Sequence, residues 1–185
     1  MGADVTAILA DAGSRDSAAL AQVYEILYKE LQTIARAQLR RLDQQTLNTA
    51  ALINESYLKL IDNSRISVEG RAHFLALAAR AMRQILIDYF RRKTAAKRGS
   101  FIKPVTLLEE AVPAEQRGEM LVALDDAIDQ LELTNERLAR VVEYKFFGGM
   151  TYDEIAQVLD ISARSARLDW RKAKAWLTLE LEPET

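Results

Sequence analysis

The chain has 185 residues, of which 49% are apolar, and a net charge of −2; that is enough for one ordinary domain or two small ones and excludes wholesale disorder. It has no cysteine and a single histidine, which excludes disulfides and thiolate metal sites and argues against zinc. "MGADVTAILADAG" has no basic segment leading into an apolar one, and no stretch approaches the roughly 18 apolar residues of a membrane span. The expectation is a soluble cytoplasmic protein with no membrane partner and no cofactor.

Nearly every periodic segment has helical spacing, so the fold class is read as all-α, with two small helical bundles. Leu20, Val23, Tyr24, Leu27, Leu31 and Ile34 form a first stripe at three- and four-residue intervals. "LNTAALINESYLKLI" (Leu47–Ile61) starts a second helix with Asn48 as its N-cap and Leu52, Tyr57, Leu60 and Ile61 on its apolar face. A polar loop, "DNSRISVEGR", follows. From Ala72 to Arg92 the pattern predicts a long helix with Phe74, Ala78, Ala81, Ile85 and Tyr89 inward, and Arg80, Arg83, Gln84, Arg91 and Arg92 on its other faces. Lys97–Gly118 holds two of the three prolines and little periodicity, which reads as a linker. Leu121, Leu124, Ile128 and Leu131 mark a short helix, and another runs from near Thr134 to Gly148-Gly149.

The charge is segregated along the chain. Residues 70–103 contain nine Lys/Arg against Asp88 alone, and residues 104–136 contain nine Asp/Glu against Arg117 alone. A charge run is commonly just a solvated helix face. A dense cationic block followed by an equally dense acidic one suggests different partners for the two, with a polyanion for the basic block.

The strongest local motif is "TYDEIAQVLDISARSARLDWRKAKAWL" (Thr151–Leu177). Thr151 and Glu154 make a capping box; Ile155, Ala156 and Leu159 face inward; "DIS" turns the chain, and Ser162 caps the next helix. Asp160 takes the turn position where glycine is usual, and aspartate tolerates left-handed geometry. Ala166, Trp170, Ala173 and Leu177 form the buried stripe of that helix, opposite Arg164, Arg167, Arg171 and Lys174. This is the pattern of a helix-turn-helix, with Arg164, Ser165 and Arg167 placed for base edges and Arg171, Lys172 and Lys174 for phosphates. The alternative is a helical hairpin with a solvated basic face.

"LINESYLKLI", "HFLALAARAMRQILIDYFRRK" and "FFGGMTYDEIAQVLDISARSA", in that order and spacing, resemble the extracytoplasmic-function (ECF) group of bacterial RNA polymerase sigma factors over nearly the full length. The resemblance implies two helical domains joined by a flexible linker: a region-two domain at residues 1–98, a linker at 99–120, and a region-four domain at 121–185. It implies no catalysis. The first domain docks on core RNA polymerase at the clamp and melts the minus-ten element; the second meets the flap and reads the minus-thirty-five element of promoter DNA. It also implies that the loop with Asn63, Ser64, Arg65 and Ser67 receives a flipped base, beside Arg80, Arg83, Gln84, Arg91 and Arg92. Leu77 stands where such factors often have tryptophan, and Gln84 where they often have asparagine.

The first turn of the second helix departs from the pattern. The helix dipole favours acids there, and most ECF factors resemble "DAED" at these positions; this chain has Asn48, Thr49, Ala50 and Ala51. The polymerase-binding residues implied are Asn48, Thr49, Leu52 and Glu55. A sub-group resembling this chain is thought to be switched on by a Ser/Thr protein kinase, which makes Thr49 the expected phosphorylation site and Thr46 its rival. Two other classes compete: an operator-binding helix-turn-helix regulator with a helical sensor domain, and a helical adaptor that binds only proteins. An enzyme is not expected, because no Gly-rich phosphate loop follows a strand and no Ser/His/Asp set exists. His73 is read as a capping or packing residue and Asp88 as half of an ion pair.

Overall fold

Apolar side chains recur at helical spacing through both halves of the chain, and the computed structural model accordingly places seven α-helices and one π-helical turn, without a strand, among the residues it describes: 5–12, 17–42, 47–62, 68–96 and 114–181. The helices are α1 (Val5–Ala12), α2 (Ser17–Arg41), α3 (Thr49–Asp62), α4 (Arg71–Ala96), α5 (Ala114–Val142), α6 (Tyr152–Leu159) and α7 (Ala163–Leu181), with the π-turn at Glu143–Phe147. None of the described helices is long and apolar enough to cross a membrane.

The first helix went unread in the sequence. In α1, Val5 and Leu9 are buried one turn apart against α2. The α2 stripe is buried at Leu20, Val23, Leu27 and Leu31 and continues through Ala35, Gln38, Leu39 and Leu42. On α3, Leu52, Ile53 and Leu60 are buried, while Tyr57 stays half-buried and stacks on Tyr24 of α2 at 4.2 Å.

Helix α4 differs most from expectation. The predicted inward residues Phe74, Ala78, Ala81 and Ile85 are buried, but so are Leu75, Ala76, Ala79, Met82, Leu86, Ile87 and Phe90; Tyr89 is only half-buried. A helix apolar almost all round is one packed on several sides. Here α2 and α3 cover one side, and α5, the π-turn and α6 cover another. One apolar core therefore runs without a break from α1 to α7.

Gly118, read as a linker position, and Gly148, read as a helix-ending signal, make that second contact. Ala114–Met120 are helical, the first turns of α5, and Gly118 packs against Phe90, where a Cβ would lie 2.2 Å from Cδ1. Gly148 is equally confined, since a Cβ there would stand 2.9 Å from that of Ala79. The expected break near Thr134 exists as a kink at Asn135 (φ −155°, ψ 86°), inside the span of α5. Past it the chain widens into the π-turn before Gly148, and Gly149 takes the positive φ of 60°.

Candidate nucleic-acid interface

Local hydrogen bonds set the end of the chain. Thr151 Oγ1 accepts from Glu154 N at 3.3 Å while the Thr151 N–H donates to Glu154 Oε2 at 2.7 Å, the reciprocal capping box that starts α6. Burial pushes the Glu154 carboxyl up, but the Thr151 backbone hydrogen bond and the Arg71 guanidinium outweigh it and hold it below the usual range. Asp160 ends the helix in the left-handed region at φ 51°. Two residues on, Ser162 Oγ accepts from Ser165 N at 3.0 Å and opens α7.

Helix α7 buries Ala166, Ala173 and Leu177 as expected; Trp170 is only half-buried. The fourth buried position is Asp169, which the sequence reading passed over. It falls on the same stripe, three residues after Ala166 and four before Ala173, and a carboxylate there needs a partner. Arg137 of α5 supplies it, with Nε 2.8 Å from Oδ2 and Nη2 donating to Oδ1 at 3.3 Å. That pair fixes the rotation of α7 on α5.

With that rotation set, Arg164, Arg167, Arg171, Lys172 and Lys174 are exposed, and Arg164, Arg167, Leu168 and Arg171 line one shallow cleft. Ser165 is half-buried and shares a 2.9 Å hydrogen bond with Ser162, so its hydroxyl is already engaged at the helix start. Arg167 lies over the Tyr152 ring at 5.2 Å, and Lys145 approaches the same ring at 4.7 Å. The ring contact of Arg167 steadies one of the residues that line the cleft.

The predicted cations of α4 do not form one open surface. Arg80, Gln84 and Arg92 are exposed, and Arg92 Nε donates back to the Asp88 carbonyl at 3.0 Å. Arg83 is buried. Its Nε donates to Asp125 Oδ1 at 2.6 Å, Nη2 to Asp129 Oδ1 at 2.6 Å and Nη1 to Glu143 Oε1 at 3.3 Å. Arg91 Nη2 reaches Asp125 Oδ2 at 3.0 Å and Asp126 Oδ1 at 2.8 Å. The basic and acidic blocks, expected to serve different partners, thus pair with each other at these residues. Burial drives the Asp125 and Glu143 carboxyls above their ordinary range despite Arg83. For Arg83, burial pulls the other way and is outweighed by Asp125 and Glu143, which hold the guanidinium above its ordinary value.

Two further links join the halves. Gln38 Nε2 donates to the carbonyls of Phe146 at 2.5 Å and Phe147 at 3.1 Å, oxygens that the π-turn leaves without an ordinary α-helical partner. Arg41 adds a hydrogen bond to Phe146 O at 3.1 Å and lies 4.9 Å from the Phe146 ring. Arg71, at the start of α4, bridges Glu30 of α2 and Glu154 of α6, each at 2.6 Å.

At the α3 entrance, Asn48 Oδ1 accepts from Ala51 N at 2.7 Å, the expected N-cap. Thr49 is the first helical residue and is half-buried; no acid lies in the first turn. Leu52 is fully buried and Glu55 exposed, so Leu52 supports this end of the helix from inside. His73 Nδ1 accepts from Glu69 N at 3.2 Å, a local cap. Asp88 lies 3.9 Å from Lys59. Thr46 and the loop residues Asn63, Ser64, Arg65 and Ser67 lie outside the described residues.

The family model described as ECF sigma factor matches residues 2–183. No curated protein and no solved structure matches the chain with statistical significance. A match spanning nearly every residue, over an all-helical fold, settles the family: the chain belongs to the ECF sigma factors, non-enzymatic transcription initiation factors that bind core RNA polymerase and promoter DNA.

Proposed function

We propose that this sigma factor is inactive as translated and is activated by phosphorylation of Thr49. The observation that carries the reading is the entrance of α3, where Asn48 caps the helix, Thr49 begins it and no carboxylate occupies the first turn. A phosphate on Thr49 adds a charge of about −1.5 to −2 and three strong acceptors at the positive end of a helix dipole. It thereby supplies the anion that arginines of the polymerase clamp engage by charge-assisted hydrogen bonds. The kinase is a Ser/Thr protein kinase, and Thr46 is the rival acceptor.

In the same proposal, residues 1–98 act as the region-two domain that docks on the clamp and opens the minus-ten element. The bases there meet Arg80, Arg83, Gln84, Arg91, Arg92 and the loop with Asn63, Ser64 and Arg65. Residues 121–185 act as region four, with α6 and α7 as its helix-turn-helix on the minus-thirty-five element; the linker at 99–120 lies between, its last seven residues forming the first turns of α5. The open cationic face of α7 supports that assignment, because exposed arginines at one-turn spacing match successive groups along a groove.

The test is core-polymerase binding by the unmodified protein, the kinase-treated protein and kinase-treated Thr49→Ala. Tight binding only after treatment, lost in Thr49→Ala, is expected. Full-strength binding by the unmodified protein refutes the switch, and activation surviving in Thr49→Ala moves the site to Thr46.

A further inference from the structure

Of the four residues that line the cleft on α7, three are arginines and the fourth is Leu168. Its side chain is open to solvent, at 38% exposure. A lone exposed leucine is ordinary on a protein surface, but this one stands among cations and its chain neighbours are anchored. Arg164 lies one turn before it and Arg171 one turn after, on the same face of the helix. Arg167, which precedes it, lies over the Tyr152 ring at 5.2 Å. Asp169, which follows it, is buried and paired with Arg137. Ser165, one turn earlier and expected to reach base edges, is instead half-buried and shares its hydroxyl with Ser162 at 2.9 Å. An apolar side chain thus occupies the middle of the cationic face, with hydrogen-bond donors on either side.

We propose that Leu168 is a specificity-determining residue that reads the C5-methyl group of a thymine in the major groove. The proposal rests on the reading of α7 as the helix on the minus-thirty-five element given above. Leucine has no donor or acceptor, so the base edge that suits it is one with an apolar group. In the major groove that edge belongs to thymine, whose methyl projects beside the O4 acceptor. Guanine presents N7 and O6, adenine presents N7 and its N6 amino group, and cytosine presents its N4 amino group without a methyl. Pressed against leucine, those polar groups lose water and gain no partner. Selection therefore includes rejection of the other three bases as well as contact with the methyl. The flanking arginines recognise what leucine does not, since their donor forks suit guanine edges and phosphates. With Arg167 and Asp169 both held, the leucine between them is presented at a fixed angle. 5-Methylcytosine carries a methyl on the same ring carbon, so the same side chain makes binding sensitive to cytosine methylation wherever cytosine replaces that thymine.

The test uses the full chain at low salt, where phosphate contacts hold DNA most tightly. Duplexes that it enriches from a random pool give the preferred sequence. Each thymine of that duplex is replaced in turn by deoxyuridine, which deletes the methyl and keeps every hydrogen-bonding group, and affinity is read by fluorescence anisotropy. One replacement is expected to weaken binding about fourfold, the contribution of one buried methyl-sized group, and to have no effect on Leu168→Ala. At the same position 5-methylcytosine is expected to bind about fourfold more tightly than cytosine in the native chain, and equally in Leu168→Ala. The salt slope of Leu168→Ala should match that of the native chain, because no phosphate contact is lost. A preferred duplex in which no deoxyuridine replacement weakens binding overturns the proposal, as does a loss that persists in Leu168→Ala. In both cases weaker binding of that duplex by Arg167→Ala keeps α7 as the reader. Failure to enrich any sequence, or equal binding of the preferred duplex by Arg167→Ala, also overturns the proposal, and does so by removing α7 itself from the DNA.

Discussion

Gly118 of α5 lies flat against the ring of Phe90 of α4, so that a Cβ at this position would stand 2.2 Å from Cδ1 and 2.5 Å from Cε1. Phe90 is buried and has little room to retreat. Gly118→Ala is therefore expected to destabilise the protein by about 1–3 kcal/mol, as overpacking does. Urea unfolding of Gly118→Ala, Phe90→Leu and the double variant checks it. The double variant should recover part of the loss, because a smaller side chain at position 90 vacates the space the new methyl needs.

Arg83 is expected to be the most costly cation of α4 to lose. Arg83→Gln leaves Asp125 and Glu143 buried beside a neutral amide, and breaking a buried ion pair from one side costs about 3–5 kcal/mol. Arg92→Ala removes an exposed side chain whose hydrogen bond is to a carbonyl of its own helix, so its effect should stay within about 0.5 kcal/mol. Equal unfolding midpoints for the two variants would contradict the network.

Stability should depend on pH with opposite signs at two glutamates. Burial, opposed by Arg83, raises the Glu143 carboxyl, so the fold holds that proton more tightly than the unfolded chain does. The favourable contribution is complete below the ordinary glutamate value of about 4.3 and is lost as pH rises through the raised one. Glu154 is depressed, since its Thr151 and Arg71 contacts outweigh burial. Its contribution is present above the ordinary value and is lost as pH falls through the depressed one. Denaturation midpoints between about pH 3 and about pH 7 should show the neutral-side decline flattened in Glu143→Gln and the acid-side loss flattened in Glu154→Gln.

On α7 the two kinds of cation should separate. Arg167→Ala is expected to cost about 1–3 kcal/mol of minus-thirty-five binding and to relax specificity at one base pair. Lys172→Ala should weaken all sequences alike and lower the salt slope by about one counterion. Promoter titrations at several salt concentrations, with cognate and scrambled duplexes, distinguish them.

Local signals were legible in the sequence wherever a single helix decided the outcome. The caps at Asn48, Thr151 and Ser162, the left-handed Asp160 and the leucine and valine positions of the α2 and α3 stripes depend on near neighbours, and each appears in the structure where the spacing puts it, while Tyr24, Ile34, Tyr57 and Ile61 of those stripes are only half-buried. The all-α class follows from the same periodicity. Contacts between distant segments were not legible. Periodicity assigns Arg83 to an outward face because it cannot register that α4 is packed on several sides, and the acids that meet it lie 42 to 60 residues along the chain. Asp169 carried a readable clue, a carboxylate on an apolar stripe, but nothing local identified Arg137 as its partner. The start of α5 was hidden by Gly118, a helix breaker by propensity that is required here by the ring beneath it.

The kink at Asn135 divides what would otherwise be one rod of 29 residues. Asn135 Oδ1 accepts from Leu138 N at 3.2 Å, so the second limb of α5 carries its own start signal and takes nothing from the first to begin. Arg137, two residues beyond, grips α7, whereas Asp125 and Asp129, before the kink, grip α4. The single helix thus changes direction between its ion pairs to α4 and its ion pair to α7. Glu143, beyond the kink, also meets Arg83, so α4 is held from both sides of the bend while α7 is gripped from one.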